Sequence, residues 1–197
     1  MSSTKNLADR QVLNKQTMGI NEGLPLQVSD GGIEDLRRDI QRLMDIEAIK
    51  KLKHAYFRCV DTANMTEMAE VLHADIAVHY QGGSYEWKLQ GREEVLGALA
   101  ESFHSQAIGQ HNGHMPEIQM LSETEATGIW YLHDNMWTLN HNHYTQGTAL
   151  YWDRYVKEGG QWTIIETNYE RLYEISQQID GLPGLASHYL AGHGKKV

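Results

Sequence analysis

The chain has 197 residues, of which 41% are hydrophobic and 22% are charged, as in an ordinary globular domain. This length suits one domain with its own core and is short for two. Lys and Arg number 17 and Asp and Glu number 26, so the formal net charge is −9, which argues against nucleic acid and anionic membranes as partners.

The sequence contains no apolar run that is long enough to span a membrane. Residues 1–10 are polar and lack the apolar centre of a secretory signal. The single cysteine, Cys59, has no partner for an internal disulfide, and its helical, apolar surroundings predict a buried structural thiol. We therefore expect a cytoplasmic protein in a reducing compartment.

The first half of the chain predicts helices after a polar N-terminal arm over residues 1–32. A long helix is expected over 33–59, where apolar residues recur every three or four positions and face the core. Asn64 is the predicted N-cap of a short helix over 65–72, and a third helix is expected over 92–104. The predicted apolar stripe of the first helix comprises Ile33, Leu36, Ile40, Leu43, Ile46, Ile49 and Leu52.

The remaining segments predict strands. Two short strands, near 76–80 and 85–87, flank a glycine turn, and a polar loop is expected over 105–116. Longer strands are expected near 117–121, 126–139, 144–157 and 161–174, and a Gly-rich tail follows from 180. This order, with long antiparallel strands and separate helices, predicts an α+β fold. A strongly curved, mostly antiparallel sheet wrapped around the long helix would leave a cone-shaped cavity, where a small apolar ligand would bind. The predicted core domain is 33–176, between the arm and a tail over 177–197.

Several common sites are not expected. No Gly-rich phosphate loop follows a strand, so a nucleotide cofactor is not predicted, and no G-x-S-x-G hydrolase motif occurs. His104, His111 and His114 lie near one another, as do His141 and His143, but neither group has a zinc-ligand spacing. We predict no metal or other cofactor, and we expect His141 and His143 to be exposed turn residues.

Tyr56 and Asp61 lie at the end of the long helix, where the helix dipole disfavours a carboxylate. Asp61 can begin the turn between helices or cap the next helix, or it can be held at the mouth of the cavity for a functional reason. His111 lies where the polar loop enters the sheet. On its own, a histidine at this place is more often structural than catalytic.

Asp134 lies in an aromatic strand segment. If Trp130, Leu132 and Asp134 share one face, the carboxylate points into an apolar interior and needs a partner or a purpose. Arg171 in the last strand is the candidate partner. The alternative for Arg171 is a surface ion pair with a neighbouring glutamate, which would contribute little to stability.

These residues, in this order, occur in four stretches that resemble a known family. The first stretch, in the long helix, contains DIEAIK (45–50) and YFRCVD (56–61), and the other three are HNGHMPEI (111–118), residues 122–134 and residues 160–174. Over about residues 40–175, the chain resembles the SnoaL-like branch of the NTF2-like superfamily. Within that branch, it is similar to the bile-acid 7α-dehydratases, which have a scytalone dehydratase-type site.

The resemblance implies an NTF2-like cone-shaped barrel with a defined set of site residues. The implied catalytic residues are Tyr56, Asp61, His111, Asp134 and Arg171, and the implied substrate-binding residues are Tyr80, Trp130, Asn112 and Asn168. Asn112 and Asn168 depart from the family pattern, since the family has an apolar residue and a glycine at these places.

The implied activity is a hydro-lyase reaction without a cofactor. Water would leave a 7α-hydroxy-3-oxo-4-ene steroid of the bile-acid type and give a 4,6-dienone. The implied substrate is a free acid or a coenzyme A thioester, and the acidic surface favours the free acid. The resemblance also implies a homo-oligomer, with a trimer favoured over a dimer. Two alternatives stay open: another SnoaL-like lyase, isomerase or cyclase that acts on a hydroxylated polycyclic ketone, and a non-catalytic ligand-binding protein.

Overall fold

The computed structural model describes residues 11–26, 32–83, 85–181 and 184–197. The elements in chain order are α1 (Ile33–Asp61), α2 (Met65–Val71), β1 (Leu72–Gln81), β2 (Glu86–Gln90), α3 (Arg92–Ser102), β3 (Ala107–Met120), β4 (Glu125–Thr138), β5 (His143–Glu158), β6 (Gln161–Gln178) and α4 (Tyr189–His193).

The strands form one six-stranded sheet in the order β2-β1-β6-β5-β4-β3. Strands β1 and β6 run parallel, whereas the other neighbouring strands pair antiparallel. The curved sheet encloses the C-terminal half of α1, which packs chiefly against β3. The predicted α+β class, with a mostly antiparallel sheet around a long first helix, is therefore confirmed.

Local sequence explains where several elements begin and turn. The side chain of Asn64 accepts a hydrogen bond from the backbone amide of Glu67, which confirms the predicted N-cap of α2. The hairpin between β5 and β6 places Gly159 and Gly160 at φ values of 57° and 85°, where residues with a side chain are strained. The turn therefore lies at 158–160, between the strands expected near 144–157 and 161–174.

The core lies between α1 and the inner face of the sheet. Ile49, Cys59 and Val60 of α1 are buried there, and Cys59 is the buried free thiol that the sequence predicts. Gly113 of β3 allows this packing, because a Cβ atom at that position would lie 1.9 Å from the Phe57 ring. The helix can therefore approach β3 closely beside the predicted site.

The N-terminal half of α1 corrects one prediction. The helix is 29 residues long, and its first apolar residues extend beyond the core instead of packing into it. Ile33 is 69% exposed and Leu36 is 60% exposed. Ile40, Leu43 and Met44 are exposed as well. The apolar period is therefore helical, as predicted, but the core contacts only its later part.

Two segments expected to be irregular are ordered. The polar loop predicted over 105–116 is mostly the first part of β3, which pairs with β4 from Ala107 onward. Its polar residues concealed the strand, because β3 lies at the edge of the sheet and needs fewer apolar side chains. The predicted tail contains α4, whose Leu190 is buried in the core.

His141 lies in a single exposed 3-10 turn, and His143 begins β5 half-buried, so the exposure predicted for His143 is wrong.

The predicted N-terminal arm lies partly outside the described residues, which omit 1–10 and 27–31. In the described part, Met18 and Ile20 pack against Ile129, Leu150 and Trp152 on the outer face of the sheet. Among the described helices, none is both long enough and apolar enough to cross a bilayer.

Candidate active site

A cavity of about 300 Å³ opens between α1, α3 and the inner face of the sheet. Its walls are largely aromatic and apolar, and a few polar groups converge on it, which is the usual character of a small-molecule site. The lining residues are Tyr56, Val60, Tyr80, Tyr85, Trp87, Leu99, Ser102, Phe103, His111, Asp134, Met136, His143, Thr145, Tyr151, Tyr169 and Arg171.

His111 and Asp61 form a hydrogen-bonded pair at the wall of this cavity. The His111 Nδ1 atom lies 2.6 Å from Asp61 Oδ1, and the backbone amide of His111 donates to Asp61 Oδ2 over 3.0 Å. Because a carboxylate only accepts, neutral His111 carries its proton on Nδ1 and leaves Nε2 as a base. Phe103 contacts the imidazole edge to face, with ring centroids 5.5 Å apart.

Asp134 and Arg171 form the second polar pair of the cavity. Asp134 lies directly opposite His111 in the β3–β4 register, which brings both side chains to the same end of the site. Arg171 donates to both Asp134 oxygens, over 2.5 Å and 2.8 Å, so the pairing is bidentate. Burial alone would lower the pKa of Arg171, but the hydrogen bonds to Asp134 raise it above its usual value. The expected partnership of Asp134 and Arg171 is thus observed, and the pairing of Arg171 with a neighbouring glutamate is present as well, at a buried place and not at the surface.

Arg171 reaches Asp134 by crossing β5 at a glycine. Gly147 faces Asp134 on one side and Glu174 on the other, and a Cβ atom there would lie 3.1 Å from Arg171 Nη1. The Arg171 Nε atom lies 3.3 Å from Glu174 Oε2. One guanidinium therefore faces two carboxylates, and this end of the cavity presents no uncompensated positive charge.

Two tyrosine hydroxyls form a further polar part of the cavity wall. The Tyr56 and Tyr80 hydroxyl oxygens are 2.6 Å apart, and both side chains are buried. The Tyr80 ring stacks on Tyr169 at 4.3 Å and meets Tyr151 edge to face. Burial raises the pKa of Tyr56 and Tyr80 well above the usual tyrosine value. Both hydroxyls therefore remain protonated at neutral pH and can give or receive a hydrogen bond.

The structure brings together six of the nine site residues expected from the sequence. Tyr56, Tyr80, His111, Asp134 and Arg171 line the cavity, and Asp61 binds His111 behind its wall.

The other three expected residues are not brought to the cavity. Trp130 is fully buried, and its Nε1 donates to the Tyr155 hydroxyl over 2.9 Å. Asn112 is exposed on β3. Asn168 alternates with the inward-facing Thr167, and its amide donates to the Trp152 carbonyl and to Glu166. None of these three residues lines the cavity, so the structure does not place them where the sequence analysis expects a substrate.

Sequence reasoning missed a polar cluster beneath the cavity, formed by Lys53, Asp153 and Thr167. A clue was available in β5, where Ala149, Tyr151 and Asp153 alternate and so share one face. A carboxylate on the inward face of a central strand requires a partner. The helix carries that partner, because Lys53 occupies an inward position of α1.

Comparisons with known proteins agree with this architecture. A family model described as a SnoaL-like domain matches residues 41–168. A LinA-type3 hexachlorocyclohexane dehydrochlorinase from Novosphingobium barchaimii LL02 is similar at 19% identity and a TM-score of 0.63, over 75% of this chain and 99% of that one. A protein provisionally assigned as a scytalone dehydratase from Novosphingobium aromaticivorans is similar at 18% identity and a TM-score of 0.61, over 75% of this chain and 97% of that one. At these identities, the likeness demonstrates a shared fold.

Proposed function

The chain belongs to the SnoaL-like family, and from this premise we propose that it is a lyase that removes water from a 7α-hydroxy-3-oxo-4-ene steroid of the bile-acid type. The observation that carries the proposal is the pair of His111 and Asp61 at the wall of an aromatic cavity. Dehydration of this kind needs a base, an acid and a hydrogen-bond partner for a developing oxyanion. Aromatic walls suit the apolar ring system of a steroid.

The proposed reaction starts at C6, whose hydrogen is acidic because the 4-ene conjugates it with the 3-ketone. His111 Nε2 accepts the C6 proton, and the electron pair forms a dienolate. The C7–O bond then breaks while His111 returns the proton to the departing hydroxyl. The products are one 4,6-dienone and one water, and His111 regains its neutral form. Every proton moves through side chains of this chain, so the scheme uses no metal or nucleotide.

The remaining side chains have roles suggested by their positions. Asp61 orients His111 and stabilises the imidazolium that forms during the transfer, as carboxylates do in other carboxylate–histidine pairs. Tyr56 holds one substrate oxygen by a hydrogen bond. Asp134 and Arg171 hold that oxygen or a second one at the end of the cavity nearer His111. Tyr80 supports Tyr56 and lines the cavity.

The cavity size favours one second candidate. A volume of about 300 Å³ is at the small end of the range for ligand sites, so a smaller hydroxylated polycyclic ketone is the alternative substrate. The reaction on such a ketone would be another elimination, an isomerisation or a cyclisation on the same dyad. Isomerisation and elimination differ in one respect, because only elimination lowers the product mass by one water. A protein that only binds its ligand would give no product at all.

The form of the substrate and the assembly of the protein belong to the same proposal. A net charge of −9 disfavours the polyanionic coenzyme A group, so we propose the unconjugated acid as the preferred form. We also propose a homo-oligomer, with a trimer favoured over a dimer. The exposed apolar residues of α1, among them Leu36 and Met44, support it, because such surfaces are commonly covered by a partner. Sedimentation equilibrium on the purified chain measures the assembly directly.

The test is incubation of the purified protein with the 7α-hydroxy-3-oxo-4-ene bile acid, as the free acid and as the thioester. We expect the ultraviolet maximum to move to longer wavelength as the dienone forms, and mass spectrometry to record the loss of one water. His111→Ala should lower kcat/KM by about 10³-fold, since a positioned general base contributes that order. His133→Ala is the matched control, because His133 alternates with the inward-facing Leu132 and Asp134. A folded His111→Ala variant with near-normal turnover would contradict the proposal.

A further inference from the structure

A fully buried ion pair lies beneath the cavity. Lys53 Nζ and Asp153 Oδ2 are 2.8 Å apart, and both side chains are 0% exposed. Apolar residues of similar volume are often equally stabilising at such places, because burial of two charges costs solvation energy. Stability alone therefore does not explain why the pair is present. The groups around the pair form hydrogen bonds that lead to the tyrosines of the cavity.

The Asp153 carboxylate is surrounded by hydrogen-bond donors. Besides Lys53, it accepts from the Tyr155 hydroxyl over 2.7 Å and from the Thr167 hydroxyl over 2.6 Å. A carboxylate has no proton to give, so the single hydroxyl proton of Thr167 is committed to Asp153. Toward any other partner, the Thr167 oxygen can only accept.

That remaining partner is Tyr80. Its hydroxyl donates to Thr167 Oγ1 over 3.5 Å, a long hydrogen bond, and its oxygen lies 2.6 Å from the Tyr56 hydroxyl. Since the Tyr80 proton is directed at Thr167, the proton between the two tyrosines comes from Tyr56. The chain of hydrogen bonds thus runs from the buried carboxylate through Thr167 and Tyr80 to the Tyr56 oxygen at the cavity wall.

Lys53 contacts Tyr56 directly, together with a further tyrosine of the cavity wall, Tyr151. Its Nζ lies 3.9 Å from the centroid of the Tyr151 ring and 4.6 Å from that of Tyr56. A cation so close to two aromatic faces attracts both rings, and more strongly when it is desolvated. One buried cation therefore holds the rings of the cavity wall, and its carboxylate partner holds the hydroxyl chain.

We propose that Thr167, anchored by the Lys53–Asp153 pair, is a positioning residue for the hydroxyls of Tyr80 and Tyr56. Thr167 does not belong to the cavity lining, so it acts on a substrate only through these tyrosines. The catalytic consequence rests on the proposed function, in which Tyr56 holds a substrate oxygen. The positioning of the two tyrosine hydroxyls does not depend on the proposed function, because it is a property of the ligand-free protein.

The first measurement needs no substrate. The proton shared over 2.6 Å by Tyr56 and Tyr80 should give a resonance downfield of the amides in one-dimensional proton NMR in water. Tyr56→Phe identifies this resonance by removing it. Thr167→Val, which keeps the side-chain size and removes the hydroxyl, should shift it or broaden it through exchange with water, and Thr167→Ser should preserve it.

Thr127→Val is the matched control. Thr127 is also a buried strand threonine, 2% exposed, and its hydroxyl has no hydrogen-bond partner among the described residues. It alternates with Ala126 of the core, so it lies on the other face of the sheet. This variant should leave the resonance unchanged. Thr167→Ala replaces Thr167→Val if the valine variant does not fold.

The second measurement uses the free 7α-hydroxy-3-oxo-4-ene bile acid. Thr167→Val should lower kcat about tenfold, the usual weight of one hydrogen bond, and leave KM within about twofold. Thr167→Ser should restore kcat, and Thr127→Val should match the wild type. A purely structural role would instead lower the amount of folded protein, which leaves kcat per active site unchanged.

The outcomes separate the two proposals. An unchanged downfield resonance in Thr167→Val overturns the positioning role, whether or not the steroid is a substrate. A dehydrating wild type whose Thr167→Val variant keeps its full kcat overturns it as well. If the wild type forms no dienone but the resonance responds as expected, the proposed function fails and the positioning of the tyrosines stands.

Discussion

Two carboxylates of this molecule each hold a basic partner, and they do so in opposite surroundings. The side chains of Asp61 and His111 are 26% and 12% exposed and meet at the cavity wall, whereas the side chains of Asp153 and Lys53 are fully buried. His111 has a ring nitrogen left for a ligand. Asp153 has every hydrogen bond directed at protein groups. The first pair can exchange a proton with a bound molecule, and the second can only hold its neighbours in place.

One helix supplies a member of each pair. Lys53 and Tyr56 are three residues apart and so are neighbours on α1, whereas Asp61 lies five residues beyond Tyr56, turned by about 140° around the helix axis, where it meets His111. Eight residues of helix span about 12 Å. The helix therefore delivers a buried cation, a cavity tyrosine and the partner of His111 at increasing distance along its axis. The rigid spacing links the layer beneath the cavity to its wall.

The largest expected effect breaks the pair at the wall. In Asp61→Asn, the amide nitrogen can donate to His111 Nδ1, which favours the tautomer that carries its proton on Nε2 and so removes the base. We expect kcat/KM for steroid dehydration to fall by about 10³–10⁴-fold. The free energy of unfolding, measured in urea, should change by about 1 kcal/mol or less, because Asp61 is partly exposed.

Asp75→Asn is the matched control for this prediction, since Asp75 is an exposed carboxylate of β1. It should retain the wild-type rate. Near-normal turnover by a folded Asp61→Asn variant would show that the carboxylate does not orient His111, and the contrast between the two pairs would disappear.

The next effect breaks the buried pair. Lys53→Met keeps a long, unbranched side chain but leaves the Asp153 carboxylate buried without its cation, so the free energy of unfolding should fall by about 3–5 kcal/mol. Urea denaturation of Lys53→Met and of Lys51→Met, an exposed neighbour on the same helix, measures the difference. Equal midpoints for the two variants would mean that Asp153 finds other compensation, and the pair would not be the rigid support described above.

Much of the fold was predictable from the sequence because local signals agreed with it. The N-cap at Asn64, the Gly159-Gly160 turn and the alternation in β4 each depend on neighbouring residues alone. The edge strand β3 was missed over its first ten residues, because an edge strand with polar positions lacks the apolar alternation on which strand prediction depends. The exposed start of α1 was missed for a related reason, since its period is helical whether or not anything covers it.

The sequence predicted which residue types form the candidate site, but it did not predict the residues that hold them in place. Asp134 was expected to need Arg171, because a lone buried carboxylate is costly. The crossing of Arg171 over Gly147 depends on the register between β5 and β6, which no local pattern reports. Lys53 and Asp153 are 100 residues apart, and a lysine in an amphipathic helix is usually solvated. Only the three-dimensional structure brings the two charges together.

The smallest expected effect is on stability at alkaline pH, where a tyrosine of the cavity wall is compared with one beside the buried ion pair. Burial raises the pKa of Tyr56 at the wall and of Tyr155 beneath it above the usual tyrosine value near 10, and it does the same for Tyr80 and Tyr151. Above about pH 10, the unfolded chain releases protons that the folded chain keeps, so the free energy of unfolding falls as pH rises. Each such tyrosine contributes a slope of about 1.4 kcal/mol per pH unit.

Lys53 affects the pH dependence in the opposite direction, because burial lowers its pKa in the folded chain, whereas the unfolded lysine loses its proton only near pH 10.5. Below that pH, Lys53 makes the free energy of unfolding rise as pH rises. Above that pH, Lys53 is neutral in both states and contributes no slope. The decline then comes from the buried tyrosines and, up to its raised pKa of about 11, from the buried Cys59 thiol, which both phenylalanine variants retain. Above this pH, the free energy of unfolding, measured in urea, should therefore decline less steeply with pH in Tyr56→Phe and in Tyr155→Phe. Each substitution should remove the contribution of about one released proton from the slope. The slope and not the midpoint is the readout, since Tyr155→Phe also removes a donor to Asp153. If only Tyr155→Phe flattens the decline, the tyrosine at the cavity wall is solvated in solution, and the boundary between wall and support lies nearer the ion pair.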